Sequence, residues 1–73
     1  MLLFSEYLRE LLEEKKMTIS ALSRLSGVER TALSKTLTGQ RVLPYDALDG
    51  MIYHLRLTPR EGERLRAYYD AQF

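Results

Sequence analysis

Short polar and cationic side chains recur at helical spacing in the segment from Arg30 to Thr38. At roughly 100° per residue they fall within one arc of about 140°, and Leu33 and Thr36 fall on the opposite side. The members of this arc are Arg30, Thr31, Ser34, Lys35 and Thr38. The arc therefore presents positive charge and hydrogen-bonding groups without a carboxylate or a large apolar side chain.

A short cationic helix of this kind fits the major groove of duplex DNA, which is about 12 Å wide. In that position Arg30 can donate to the O6 and N7 atoms of guanine, and Thr31 or Ser34 can meet base edges or phosphates. Lys35 can reach either a base or a phosphate oxygen. Because a polar arc is also what a merely solvated helix shows, the surrounding sequence has to distinguish the two interpretations.

Three further residues are candidates for phosphate contacts. Thr18 and Ser20 lie where a preceding helix is expected to start, and the free N–H groups of a helix start favour anions. Arg41 follows the cationic arc and is expected to bind another phosphate. Such contacts position a protein on DNA without reading the base sequence.

The residue inventory argues against an enzyme. The chain has one histidine, His54, and no cysteine, and its carboxylates fall mostly on outer helix faces. No His or Cys cluster has the spacing of metal ligands. We therefore expect neither catalysis nor a metal ion, another cofactor or a small-molecule ligand.

The charged residues are unevenly distributed. Residues 1–14 contain one basic and four acidic side chains, residues 15–44 contain six basic and one acidic, and residues 45–73 contain four basic and five acidic. The formal net charge is only +1, so nearly all the positive surplus lies in the middle of the chain. Chance clustering is one explanation, and a phosphate-facing surface is the other.

Length and composition indicate one small globular domain spanning residues 1–73, with 45% hydrophobic and 29% charged residues. The absence of cysteine is compatible with a reducing compartment, and we expect a cytoplasmic protein. No apolar stretch has the length of a membrane span or a signal peptide. The last helical pattern has no stop signal at Phe73, which leaves open whether this domain is the N-terminal part of a longer protein.

Apolar periodicity and capping signals predict an all-α fold of five short helices. Ser5 is the expected cap of the first, Thr18 caps a second that ends at Ser26 and Gly27, and the third runs from about Glu29 to Thr38. Pro44 is expected in the first turn of the fourth, and Thr58, Pro59 and Glu61 form a capping signal for the fifth. The expected core residues of these helices are Phe4, Tyr7, Leu8, Leu11, Leu12, Ile19, Leu22, Leu25, Leu33, Leu37, Leu48, Met51, Ile52, Leu55 and Leu65.

Gly27 is expected to hold the sharp turn between the second and third helices. A left-handed backbone conformation costs about 1 kcal/mol or more for a residue with a side chain. We also expect the two helices to cross closely there, which would explain why Ala21 and Ser23 are small and why Gly27 has no Cβ.

The segment from about Leu8 to Leu57 resembles the lambda-repressor-like helix-turn-helix domains, also called the Cro or XRE family. The resemblance rests on the run from Thr18 to Val28, on Leu33-Ser34-Lys35 leading to Gly39, and on Leu48, Met51-Ile52 and Leu55. It implies sequence-specific binding of double-stranded DNA by a transcriptional regulator. Arg30, Thr31, Ser34 and Lys35 match the usual base-contacting positions, and the loop with Gln40 and Arg41 is implied to follow the phosphate backbone.

Three positions depart from the family pattern. Ile19 stands where members often have a DNA-contacting Gln, Glu29 stands where Ser or Thr commonly caps, and Leu43-Pro44 replaces the usual Pro-Ser. Glu29 suits the positive end of a helix but brings a negative charge toward phosphates, unless it accepts a hydrogen bond from cytosine N4 or turns aside.

A protein-interaction module is the main alternative. Its partner surface would be the aromatic face of the last helix, formed by Tyr68, Tyr69 and Phe73. The same aromatics could instead complete the core against Phe4 and Tyr7, which we favour, or pair with a second copy in a homodimer on a palindromic site.

Overall fold

The computed structural model describes residues 3–40 and 43–72. Within these ranges every regular element is a helix, in agreement with the predicted all-α fold. The five helices are α1 (Phe4–Glu14), α2 (Ile19–Ser26), α3 (Arg30–Leu37), α4 (Ala47–His54) and α5 (Pro59–Gln72). None of them is both long and apolar enough to cross a membrane.

One hydrophobic core joins all five helices. Helix α1 packs against α3 and α5, and α2 packs against α3 and α4. Leu8, Leu22, Leu33, Met51 and Leu65, one from each helix, are almost completely buried. Because each helix is short, its stability depends on this shared core more than on its own hydrogen bonds.

Leu25 is an exception to the predicted core. Its relative exposure is 44%, whereas Leu22 on the same helix is fully buried. Helix α2 has eight residues, and Leu22 and Ile19 already supply its contacts with the core. The prediction that Leu25 belongs to the core was therefore wrong.

The aromatic residues of α5 pack within the domain. The rings of Tyr69 and Phe4 meet edge to face with centroids 5.4 Å apart, and the rings of Tyr68 and Tyr7 lie 5.0 Å apart. This confirms the preferred interpretation that these tyrosines pack against α1. Phe73, the third member of the predicted aromatic face, lies outside the described residues.

Two predicted helix starts have the expected capping geometry. The Thr18 hydroxyl accepts a 3.0 Å hydrogen bond from the N–H of Ala21 at the start of α2. At the start of α5, the Thr58 hydroxyl accepts from the Glu61 N–H and the Glu61 carboxylate accepts from the Thr58 N–H, at 3.2 and 2.9 Å. Both devices satisfy N–H groups that a helix start leaves without partners.

The predicted cap at Ser5 was wrong. Helix α1 begins at Phe4 with Leu3 as its N-cap, and Ser5 is a buried residue inside the helix. The Leu3 N–H instead donates to the Glu6 carboxylate at 3.1 Å. The first turn of this earlier start is closed by the Tyr7 N–H, which donates to the Leu3 carbonyl at 2.9 Å.

Pro44 was also misplaced, because α4 starts three residues later, at Ala47. The Pro44 carbonyl accepts from the Ala47 N–H at 3.0 Å, which closes a tight turn before the helix. In a helix beginning at Pro44, the Leu43 carbonyl would accept a hydrogen bond from the Ala47 N–H. In the structure it accepts a hydrogen bond from the Tyr69 hydroxyl instead. A contact with α5 therefore replaces the first expected hydrogen bond of the predicted helix.

Candidate nucleic-acid interface

The turn between α2 and α3 sets the direction in which α3 leaves the core. Gly27 adopts φ +76° at the end of α2, and its N–H donates to the Ser23 carbonyl at 3.0 Å. The Ser23 hydroxyl then donates to the Val28 carbonyl at 2.6 Å. Gly27 thus has the predicted left-handed conformation, and Ser23 provides a second connection across the turn.

The steric part of the prediction for Gly27 was wrong. A Cβ atom built on Gly27 would meet no atom within 4 Å. The helices therefore do not cross closely enough at this residue to exclude a side chain. The positive φ angle is the reason for a glycine at position 27. No neighbouring residue occupies the space that a Cβ atom would take.

Helix α3 has a buried face and an exposed face, as its periodicity predicts. Ala32, Leu33, Thr36 and Leu37 are buried, and the Thr36 hydroxyl donates to the Ala32 carbonyl at 2.9 Å. This intrahelical bond allows a polar residue to sit in the core without losing its hydrogen bond. The flanking residues Glu29 and Thr38 are the caps, so the predicted limits differ from α3 by one residue at each end.

The four candidate base-contacting residues lie together on the exposed face of α3. Arg30, Thr31, Ser34 and Lys35 are all exposed and line one shallow depression. Within the described residues, the ion pairs that form are Lys15–Glu61 and Arg66–Asp49, around α5 and away from this face. Arg30 and Lys35 therefore form no ion pair with a carboxylate in the described part of the chain.

Two of the candidate phosphate-contacting residues lie at the start of α2. Thr18 and Ser20 are exposed, and Thr18 lines a groove that continues to Ser34 and Thr38 on α3. The start of α2 and the exposed side of α3 therefore face one continuous surface. Arg41, the third candidate, lies outside the described residues.

Two departures from the family pattern have a clear place in the structure. Ile19 is half-buried and packs against the core, so its side chain contributes to folding at a position where members often have Gln. Glu29 is the exposed N-cap of α3; its side chain makes no capping hydrogen bond, and its carbonyl accepts from the Leu33 N–H at 2.9 Å. The Glu29 carboxylate thus remains at the edge of the cationic face.

Sequence reasoning missed Arg9, a residue of α1. Its guanidinium donates a 2.6 Å hydrogen bond to the carbonyl of Leu37, the last residue of α3. Arg9 is exposed on the polar side of α1, and its spacing to neighbouring residues indicates no partner. The two residues are 28 positions apart, so only the tertiary structure reveals the contact.

Charged side chains of α5 contact α1 and its C-cap residue Lys15. Lys15 at the end of α1 pairs with Glu61 at 3.1 Å. The Thr58 N–H and the Lys15 ammonium group lower the pKa of Glu61 below its ordinary value of 4.5. Burial raises the pKa of Tyr7. The guanidinium of Arg64 lies 5.7 Å from the centroid of the Tyr7 ring, and its positive charge lowers this pKa.

His54 lies beside the Tyr53 ring, with the two ring centroids 5.1 Å apart. In residues 3–40 and 43–72, no group of three or more His, Cys, Asp or Glu side chains is placed to hold a metal ion.

The chain is similar in sequence to a known protein over most of the chain's length. A curated relative, the HTH-type transcriptional repressor RghR of Bacillus subtilis (strain 168), is 35% identical over 66 residues. The match covers 90% of this chain and 49% of RghR, so the chain spans about half the length of this relative. No solved structure matches the chain.

A family profile described as "Helix-turn-helix domain" matches residues 3–68, which include all of α1 to α4 and most of α5. This match confirms the helix-turn-helix resemblance, and the five-helix order is in keeping with its Cro or XRE form. The chain belongs to the helix-turn-helix domain family.

Proposed function

We propose that this domain binds double-stranded DNA in a sequence-specific way, as part of a transcriptional regulator. The observation that carries the proposal is the exposed face of α3, where Arg30 and Lys35 lie beside two hydroxyl side chains and form no ion pair with a described carboxylate. The similarity to a protein named as a transcriptional repressor supports the same function. Regulation of transcription by the whole protein is part of this proposal.

In the proposed complex, α3 lies in the major groove with its exposed face toward the bases. In this complex the guanidinium of Arg30, at the start of α3, donates to both acceptors of a guanine. Thr31 and Ser34 contribute hydroxyl groups on the same face, and Lys35 reaches a base or a phosphate. Leu33 and Leu37 hold the opposite face of the helix in the core.

Phosphate contacts position the domain on the duplex. The start of α2 provides Thr18 and Ser20, and the loop after α3 provides Arg41. The Thr18 hydroxyl already caps α2, so a phosphate would approach the N–H groups of the first turn rather than displace this cap. We further propose that the protein acts without catalysis and that two copies can bind a palindromic site.

The experiment is a titration of a labelled duplex with the full-length protein at two or more salt concentrations. The duplex is first selected from a random pool by the same protein. If two or more phosphates are neutralised, log K should fall against log salt concentration with a slope of about −2 or steeper. Failure to enrich any sequence, or an affinity that does not change with salt, would contradict the proposal.

A further inference from the structure

We propose that Arg9 is a positioning residue for DNA recognition. Arg9 fixes the C-terminal end of α3 and thereby sets the angle at which the exposed face of α3, with Arg30, Thr31, Ser34 and Lys35, meets the bases. This inference rests on the proposed function and extends it to a residue of α1. Its basis is the hydrogen bond from the Arg9 guanidinium to the Leu37 carbonyl.

The carbonyl groups at the end of α3 show why this bond matters. A helix leaves its last four carbonyls without intrahelical partners. The carbonyls of Ser34, Lys35 and Thr36 accept from the N–H groups of Thr38, Gln40 and Gly39, at 3.2, 2.8 and 3.1 Å. All three donors belong to the segment that directly follows α3, so these bonds close the helix end without fixing it to the rest of the domain.

The carbonyl of Leu37, the last residue of α3, accepts from a different helix. Arg9 is 28 residues away in sequence, and its bond to Leu37 measures 2.6 Å. A guanidinium is always charged, and a charge-assisted hydrogen bond is roughly twice as strong as a neutral one. The positive charge also lies at the negative end of the α3 dipole, where it is favourable.

Helix α3 is thus held by a side chain at each end. At its start, the Ser23 hydroxyl binds the Val28 carbonyl in the turn from α2, and at its end Arg9 binds the Leu37 carbonyl. Between these points the contacts of α3 with the core are largely apolar, and apolar contacts are not directional. The two side-chain hydrogen bonds, Ser23 to Val28 and Arg9 to Leu37, therefore restrict the direction of α3 more than apolar packing alone.

A small change in this direction would be enough to disturb base contacts. Eight residues of α-helix span about 12 Å, so a tilt of about 5° about the start moves the far end by roughly 1 Å. Hydrogen bonds to base edges need placement within about 0.5 Å. Phosphate contacts from flexible cationic side chains tolerate such a shift better.

The test compares Arg9→Met and Arg9→Lys with the wild-type full-length protein, using the selected duplex and a random duplex of the same length. Met keeps the apolar stem and removes the donor, and Lys restores a cationic donor. We expect Arg9→Met to weaken binding to the selected duplex about tenfold and to change binding to the random duplex less than about twofold, because orientation matters only for base contacts. Arg9→Lys should recover part of the loss.

Three results would overturn the inference. Equal losses on both duplexes, with a salt slope that is flatter by about one, would make Arg9 a phosphate contact. Unchanged affinity of Arg9→Met for the selected duplex would show that the hydrogen bond from Arg9 to Leu37 does not affect DNA recognition. A loss that Lys does not recover at all would point to packing rather than to the donated hydrogen bond.

A measurement without DNA separates this inference from the proposed function. The carbonyl ¹³C resonance of Leu37 reports on the hydrogen bond directly and should shift in Arg9→Met while the carbonyl of Leu33 does not. If the wild type selects no duplex but the Leu37 resonance shifts, the proposed function fails and the hydrogen bond from Arg9 to Leu37 stands as a structural contact. If the wild type selects a duplex and the Leu37 resonance does not shift, the positioning role of Arg9 fails alone.

Discussion

The hydroxyl of Ser23 donates a 2.6 Å hydrogen bond to the carbonyl of Val28, across the turn that Gly27 makes between α2 and α3. Val28 also packs against the core, so the bond links the end of α2 to a residue whose position is already constrained. At its start, the direction of α3 therefore depends on one backbone angle and one side-chain contact, and the hydrogen bond from Arg9 to Leu37 acts at its far end.

The two glycines Gly27 and Gly50 should respond to alanine in opposite directions. Gly27 has φ +76°, so Gly27→Ala should lower the free energy of unfolding by about 1 kcal/mol. Gly50 lies inside α4 with open space around its Cβ position, so Gly50→Ala should raise it by about 0.5 to 1 kcal/mol. Urea denaturation of the two variants measures both changes, and a loss of stability in Gly50→Ala would contradict the open space at that residue.

Two leucines on neighbouring helices should differ strongly in their contribution to stability. Leu33 is 1% exposed, and Leu33→Ala should cost about 2 to 5 kcal/mol, enough to unfold much of so small a domain. Leu25 is 44% exposed, and Leu25→Ala should cost less than about 1 kcal/mol. Thermal unfolding followed by circular dichroism compares them, and equal melting temperatures would mean that the inner face of α3 is misassigned.

The stability of the domain should depend on pH through Glu61. Its pKa is lower in the folded state than the ordinary value of 4.5, because the Thr58 N–H and Lys15 favour the charged carboxylate. A depressed folded pKa stabilises fully above the unfolded pKa, and this contribution is lost as the pH falls through the folded pKa.

The matched variant for this effect is Glu61→Gln, which keeps an acceptor for the Thr58 N–H but has no charge to titrate. The stability difference between wild type and Glu61→Gln should be largest near neutral pH and should shrink as the pH falls below about 4.5. Denaturant unfolding at several pH values measures it. A difference that stays constant with pH would exclude Glu61 as the titrating group.

The sequence predicted those features that depend on nearby residues. The cap of α2 at Thr18 and the capping box of Thr58 with Glu61 could be predicted, because all residues of each motif lie within four positions of the sequence. The polar arc of α3 follows from its spacing, because a helix with one apolar side must expose the other.

Features set by distant parts of the chain were missed. Arg9 has no visible partner in sequence because Leu37 is 28 residues away. Pro44 looked like a helix start, but the Tyr69 hydroxyl takes the neighbouring Leu43 carbonyl.

The ends of α1 and α4 carried no glycine signal. Lys16 and Arg56 adopt φ +55° and +54° after these helices, a conformation in which glycine is far commoner. In both cases the following residue, Met17 or Leu57, packs against the core and donates its N–H back to the helix, at 2.9 and 3.1 Å. Tertiary packing thus outweighs a local cost of about 1 kcal/mol.

The base-reading role of α3 is tested most directly by Arg30→Ala, with Arg60→Ala as the matched control. Both arginines are exposed, but Arg60 lies in α5, away from the proposed interface. The measurement is the affinity of each full-length variant for the selected duplex at fixed salt. Arg30→Ala should weaken binding by about 1 to 3 kcal/mol, roughly 5- to 150-fold, with an unchanged melting temperature and with Arg60→Ala close to wild type. An affinity of Arg30→Ala within about twofold of wild type would contradict the assignment of this face to the DNA bases.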